Sequence, residues 1–289
     1  MMIVFNPVAG KRRAQLLWRV LDVLLEHGVR VDLAETQRPG HASDLAREAA
    51  HRGEALVVAA GGDGTIAEVA NGLIGTDTRL GIIPLGTANV LAHEMGLPFT
   101  PRTVAAALGF GRTKRLWPGQ AVNGNDIRLF VQMLSVGFDA SVVQNLPFPL
   151  KKALGKGAYV VQSIREMARY RFPPIQLRID DAETEAAGVI ISKGRLYGGT
   201  YRLAHAADPS EPGFSVVLFD HSSAAAVALY GLLLPLNLLG RAPGVRQVRA
   251  RRIEFLGERF MPAQTDGDSA GVAPRLVIDA AAPIRIVAG

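Results

Sequence analysis

Leu56-Val57-Val58-Ala59-Ala60-Gly61-Gly62-Asp63-Gly64-Thr65 carries the reading of the fold. Its uncharged apolar run suits a strand buried on both faces. The glycines suit a tight turn whose backbone a ligand can approach closely, and 66–73 follows as a helix. Working outward, 3–5 is a short apolar strand that leads into the loop Asn6-Pro7-Val8-Ala9-Gly10-Lys11. An amphipathic helix is expected over about 12–27, with Leu16, Leu17, Val20, Val23 and Leu24 on one face and Gly28 as its stop. A strand at 29–33, a helix at 42–51, a strand at 80–83 and a helix at 88–95 continue the rhythm. Repeated βα units of this length imply a parallel sheet covered by helices on both faces.

Beyond about Gly111 the rhythm changes. Strands are expected at 114–117, 129–135, 175–179, 188–192, 215–219 and 253–256, with helices only at about 158–170 and 223–239. Short strands punctuated by Gly, Pro and Asp suggest an antiparallel, sandwich-like second domain. The expected division is therefore an α/β domain at 1–113 and a β-rich domain at 114–279. The final strand, at 284–287 within 280–289, is free to return to the first domain.

In an open parallel sheet, ligands bind at the carboxyl ends of the strands. There the helix after Gly61-Gly62-Asp63-Gly64-Thr65 offers unpaired N–H groups to a phosphate. Thr65 adds a hydroxyl, and Asp63 is left to face a nucleotide or its metal ion. The same residues also suit a plain strand–helix turn capped by Asp or Thr. The pattern recurs, however, at Pro84-Leu85-Gly86-Thr87-Ala88-Asn89 and at the loop from Asn6. Neither the G-x-x-x-x-G-K-[ST] loop nor G-x-G-x-x-G is present.

These three loops, with Met133-Leu134-Ser135-Val136-Gly137-Phe138-Asp139-Ala140, Gly155-Lys156-Gly157-Ala158-Tyr159 and Asp266-Gly267-Asp268, resemble the signature segments of the diacylglycerol kinase catalytic-domain family. That family includes sphingosine kinases and bacterial soluble lipid kinases. The resemblance runs through nearly the whole chain. It implies an N-terminal α/β domain similar to that of NAD kinases and phosphofructokinases, a β-rich lipid-substrate domain, and ATP-dependent phosphorylation of a hydroxyl on a diacylglycerol- or sphingoid-type membrane lipid, with Mg²⁺. An NAD kinase-like enzyme and a non-catalytic nucleotide- or lipid-binding protein are the alternatives. By motif, Gly61, Gly62, Asp63, Gly64, Thr65, Ile66 and Ala67 would hold the ATP phosphates. Asn6, Thr36, Glu68, Asn71, Gly86, Thr87 and Asn89 would contribute further contacts. The family's late Asp-Gly-Glu supplies its general base, so Asp268, or else Asp266, is the catalytic candidate here. Many bacterial members also hold a structural Mg²⁺ near an Asp-Gly pair in the second domain. The matching stretch in this chain is Asp208-Pro209-Ser210-Glu211-Pro212-Gly213.

Composition bounds the rest. The chain has 289 residues and no Cys, so disulfides, thiolate metal sites and Cys nucleophiles are excluded. It has 32 Lys+Arg against 26 Asp+Glu, and 32 − 26 gives a net charge of +6. That excess suits an anionic ligand or membrane surface. Nucleic acid is not expected, because only 6% of residues are aromatic and they do not interleave with the basic ones. The six His show no metal-ligand spacing, and no metal-binding residues are assigned. Residues 224–240 carry no charge but include Pro235 and Asn237, which suits a core helix or a wall for acyl chains better than a membrane span. Leu146-Pro147-Phe148-Pro149-Leu150-Lys151-Lys152 joins apolar to basic residues, as at a membrane interface or in an ordinary proline-rich loop. The short apolar run at the N-terminus is no signal peptide, so a cytoplasmic protein touching the inner membrane face peripherally is expected. These properties leave room for a homodimer.

Overall fold

Strands without a solvent face must lie inside a sheet, and β1 (Met2–Phe5) and β3 (Leu56–Gly61) are buried at every residue. The computed structural model describes residues 1–8, 14–155, 157–257 and 261–288, the side chains of Phe148 and Lys152 excepted. Ala9, Gly10 and Lys11 of the first loop, and Lys156, lie outside the described residues. The chain forms two units, one of 1–117 with 281–289 and one of 118–280.

The first unit runs β1, α1 (Ala14–Glu26), β2 (Asp32–Glu35), α2 (His41–His51), β3, α3 (Asp63–Leu73), β4 (Arg79–Pro84), α4 (Val90–Glu94), α5 (Pro101–Phe110) and β5 (Arg112–Leu116). The sheet order is β2-β1-β3-β4, then the chain's last strand (Ile284–Ala288), then β5. All pairs are parallel except the last, in which Ile284–Ala288 runs antiparallel to β5. The strand expected at 114–117 is β5, and it completes this sheet and not the second unit. Leu17, Val20, Leu21 and Leu24 of α1 pack beneath the sheet with Ile3, Val58, Ala60 and Ile83. The strand expected at 29–33 begins only at Asp32. Gly28, at φ 71°, and Val29 still close α1, with N–H bonds to Leu25 O and Leu24 O.

The second unit holds two six-stranded antiparallel sheets. Its elements are β6 (Gly119–Asn123), β7 (Asp126–Phe130), β8 (Met133–Gly137), α6 (Phe138–Gln144), α7 (Phe148–Leu154), α8 (Gly157–Met167), β9 (Ile175–Ile179), β10 (Ala182–Ala186), β11 (Gly188–Ser192), β12 (Leu196–Tyr197), β13 (Tyr201–Arg202), β14 (Phe214–Phe219), α9 (Ala224–Leu233), β15 (Val245–Ala250), β16 (Arg252–Leu256), β17 (Pro262–Thr265), β18 (Asp268–Val272) and β19 (Leu276–Asp279). One sheet reads β10-β9-β16-β19-β6-β7 and the other β15-β14-β11-β8-β17-β18. Phe130, Leu177, Ile253 and Val277 from the first face Leu134, Ile191, Val216 and Ala263 from the second across a shared core. The single strand expected at 129–135 is two strands in different sheets. The chain turns at Val131 and Gln132, whose N–H groups are bound by Asp266 and not by a neighbouring strand. The helix expected to reach 239 ends at Leu233, because Pro235 lacks an N–H and disfavours helix in the residue before it. No helix among the described residues is long and apolar enough to cross a membrane.

Candidate active site

Neighbouring parallel strands bring the three glycine-bearing loops together in the first unit. Gly61 O accepts from Leu85 N at 2.9 Å and Gly86 N at 3.2 Å, which ties the loop after β3 to the loop after β4. The two loops touch backbone to backbone. A Cβ on Gly86 would lie 2.6 Å from Gly62 Cα, and one on Gly61 would lie 2.5 Å from the Thr65 side chain. Asn6 reaches from the loop after β1 to the same turn, its Nδ2 donating to Thr65 Oγ1 at 3.0 Å while its Oδ1 accepts from Val8 N at 3.0 Å. Thr36, half-buried at the end of β2, donates its N–H to Phe5 O at 2.8 Å.

Gly62, in extended conformation, caps α3, and Ile66 N closes the first turn on Gly62 O at 3.0 Å. Helix geometry therefore leaves the N–H groups of the first turn, around Gly64 and Thr65, without intrahelical acceptors. Ile66 is core, Ala67 is half-buried, and Asn71 and Thr87 are exposed. Asn89 is buried at φ 48°, with Nδ2 donating to Gly86 O at 2.9 Å and Oδ1 buried without a partner. The αL conformation suits Asn and delays α4 to Val90, two residues later than expected.

Two acidic residues of α3 brace other loops instead of standing free. Asp63 Oδ1 accepts from Leu91 N at 3.3 Å. Burial pushes its carboxyl above the ordinary 3.8, against the pull of the N–H groups at Leu91, Val90 and Asn89. Glu68 accepts from Gly40 N at 2.9 Å and Ala42 N at 3.2 Å, and so holds the start of α2. Among the described residues no three His, Cys, Asp or Glu gather as a metal site. The glycine contact, the free first-turn donors and the unpaired Asn89 acceptor suit a nucleotide's phosphates and their hydrated cation.

In the second unit Asp266-Gly267 forms a two-residue hairpin turn between β17 and β18, with φ 51° and 87°. The Asp266 carboxylate accepts from Val131 N, Gln132 N and Met133 N at 2.8, 2.8 and 2.9 Å. Gln264 Oε1 accepts from Gly267 N at 2.8 Å, while its Nε2 donates to Asp139 Oδ2 at 3.1 Å. Ser135 Oγ and Tyr197 OH also donate to Asp139. Asp268, 55% exposed, follows this braced turn with Lys151 Nζ 3.8 Å from its Oδ1. Gln264, Tyr197 and Lys151 escape sequence reading as site residues, because their partners lie far away along the chain.

The diacylglycerol kinase catalytic domain matches residues 1–121, and the YegS C-terminal NAD kinase beta sandwich-like domain matches 132–287. A Chromohalobacter salexigens protein named "Probable lipid kinase YegS-like" is 30% identical over 84% of this chain and 79% of its own length. The diacylglycerol kinase of Bacillus subtilis is 26% identical over 99% of this chain and 95% of its own. A crystal structure of a diacylglycerol kinase from Bacillus anthracis shares the fold with a TM-score of 0.73, at 18% identity, over all of this chain and 96% of that one. Fold, loops and relatives together define a lipid kinase, a phosphotransferase. The chain belongs to the diacylglycerol kinase catalytic-domain family.

Proposed function

We propose that this lipid kinase transfers the γ-phosphoryl group of ATP to a hydroxyl of a diacylglycerol- or sphingoid-type membrane lipid. The observation that carries this reading is the contact of Gly62 with Gly86, which makes a side-chain-free floor beside the free N–H groups of α3. Mg²⁺-ATP, when bound, supplies the phosphoryl group and neutralises part of its charge. Gly61, Gly62, Gly64 and Thr65 bind phosphate oxygens, Asn6 orients Thr65, and Asn89 Oδ1 accepts from the ligand or its hydration shell. Glu68 and Asp63 fix the loops on either side. In the second unit Asp268 accepts the hydroxyl proton, since a lipid alcohol is a poor nucleophile until it is deprotonated. Asp266 positions Asp268 and is not itself the base, because its carboxylate oxygens are engaged by three backbone N–H groups of the turn at 131–133. Exposed leucines at the end of α9 and just after it, Leu232 and Leu236, rest on the bilayer.

The test is transfer of labelled phosphate from ATP to diacylglycerol, sphingosine, ceramide and phosphatidylglycerol in mixed vesicles, with NAD as the competing acceptor. Label in one of the lipids and none in NAD is expected. Label in NAD alone would replace this reading with the NAD kinase-like one. A folded Gly62→Asp variant should bind no ATP by calorimetry, because a side chain and a negative charge fill the phosphate floor.

A further inference from the structure

The family resemblance implies a structural Mg²⁺ site at the Asp208–Gly213 stretch, and the oxygens of that stretch decide whether a divalent ion fits. The inward oxygens are already occupied. Lys193, directly after β11, has a side chain with no solvent exposure. Its Nζ donates to Gly213 O at 2.8 Å, Glu211 O at 3.2 Å and Asp279 Oδ1 at 2.7 Å. Three oxygens use all three donors of an ammonium. The ring of Phe214 lies 4.7 Å away and adds a cation–π contact. Asp279 Oδ2 accepts from Gly213 N at 2.6 Å, so one carboxylate binds both the ammonium and the loop. Asp208 turns to its own loop, accepting from Ser210 N at 2.9 Å and Ser210 Oγ at 2.6 Å, and Pro212 offers no side-chain ligand before Gly213. A divalent ion of this kind takes six or more oxygens at about 2.0–2.6 Å. Here it would meet a buried positive charge. The residues present do not fit it.

We propose that the ammonium of Lys193 is the built-in structural cation of the Glu211–Gly213 loop, so that the second unit of this kinase needs no divalent ion to fold or to hold that loop. A tethered monovalent cation suits a three-oxygen cage, and its occupancy does not vary with the free Mg²⁺ concentration. Any Mg²⁺ requirement of the enzyme then belongs to the nucleotide.

Thermal unfolding of the full chain without nucleotide tests this. The midpoint should stay within about a degree between excess EDTA and millimolar Mg²⁺ or Ca²⁺, and metal analysis should find no stoichiometric ion. A midpoint that falls by several degrees on chelation overturns the proposal. Lys193→Met keeps an unbranched side chain but leaves the half-buried Asp279 without its cation, and should lower the midpoint by roughly 10 °C. Lys193→Met with Asp279→Asn removes the stranded charge and should recover more than half of that loss. If the double variant recovers nothing, Lys193 serves as packing and not as a cation, and the proposal fails. The chelation result decides the matter even if Lys193→Met does not fold.

Discussion

Two aspartates separated by a single glycine, Asp266 and Asp268, have opposite surroundings, and their variants should separate accordingly. Asp268→Asn keeps the shape of an exposed side chain but cannot take a proton at neutral pH. Turnover should fall by about 10²–10⁴-fold, with the melting midpoint and ATP affinity unchanged. Asp266→Ala instead strands three backbone N–H groups, at about 1–3 kcal/mol for each donor left unsatisfied. A clear drop in the midpoint should accompany its loss of activity. If Asp268→Asn turns lipid over at the parent rate, the assignment of the base is wrong. Asp63 offers a pH test with a definite sign. Its folded carboxyl holds its proton to higher pH than the ordinary 3.8 of the unfolded chain. The folded state therefore binds more protons in that window, and stability falls as pH rises through it. Asp63→Asn, a neutral isostere, should match the parent in urea unfolding below pH 3.8 and become the more stable of the two as pH rises above it.

At the scale of elements, the βα repeats were legible because their causes are local. β3 is an uncharged run, α1 an apolar stripe, and the glycines mark the turns where β3 and β4 end. The loops' convergence follows from strand order, and parallel neighbours place Gly62 against Gly86. What the sequence hides are features whose cause lies elsewhere in the chain. The break between β7 and β8 exists because Asp266, more than 130 residues away, takes the N–H groups of that turn. Lys193 reads as an ordinary residue after a strand until Asp279 is brought beside it. The helix α7, written with two prolines, reads as a loop, although Pro147 precedes it and Pro149 sits in its first turn, where a missing N–H costs little. The glycine contact gives the element-scale prediction. Gly86→Ala puts a methyl group 2.6 Å from Gly62 Cα and 2.8 Å from Asn89 Oδ1, so the backbone must part. ATP affinity measured by calorimetry should drop at least tenfold. Gly109→Ala, whose added Cβ meets nothing within 4 Å, should leave it unchanged.

If the acceptor is a membrane lipid, as proposed, the kinase has to reach the bilayer, and the chain, at +6, has no described helix fit to span it. The apolar stretch at 224–240 divides in two. Tyr230 and Leu239 are buried in a cluster with Met133, Ile190 and Val217, whereas Leu232 and Leu236 are 70% and 63% exposed. Arg202 is tied beside them, its N–H donating to Asn237 Oδ1 at 2.8 Å, and Arg241 is exposed just beyond. Exposed leucines edged by arginine suit an interfacial contact with anionic lipid. Lys151 is a poorer probe of membrane binding than the sequence implied, because it lies beside Asp268 and its reversal would also disturb the proposed base. Leu232→Asp with Leu236→Asp should therefore be the sharper test. Burying a leucine is worth about 1.5–3 kcal/mol when complete, so partial insertion of two should change vesicle partitioning by roughly 10–100-fold. Each arginine near an anionic surface adds about 1 kcal/mol, a contribution that salt screens over about 10 Å at 0.1 M. Co-sedimentation with phosphatidylglycerol vesicles should weaken in the double variant and, for the parent, at high salt. Both leucines are solvent-exposed, so the melting midpoint should stay put, and turnover of a short-chain lipid dispersed in detergent should survive. Equal binding of parent and variant to anionic vesicles would place the membrane contact on another face.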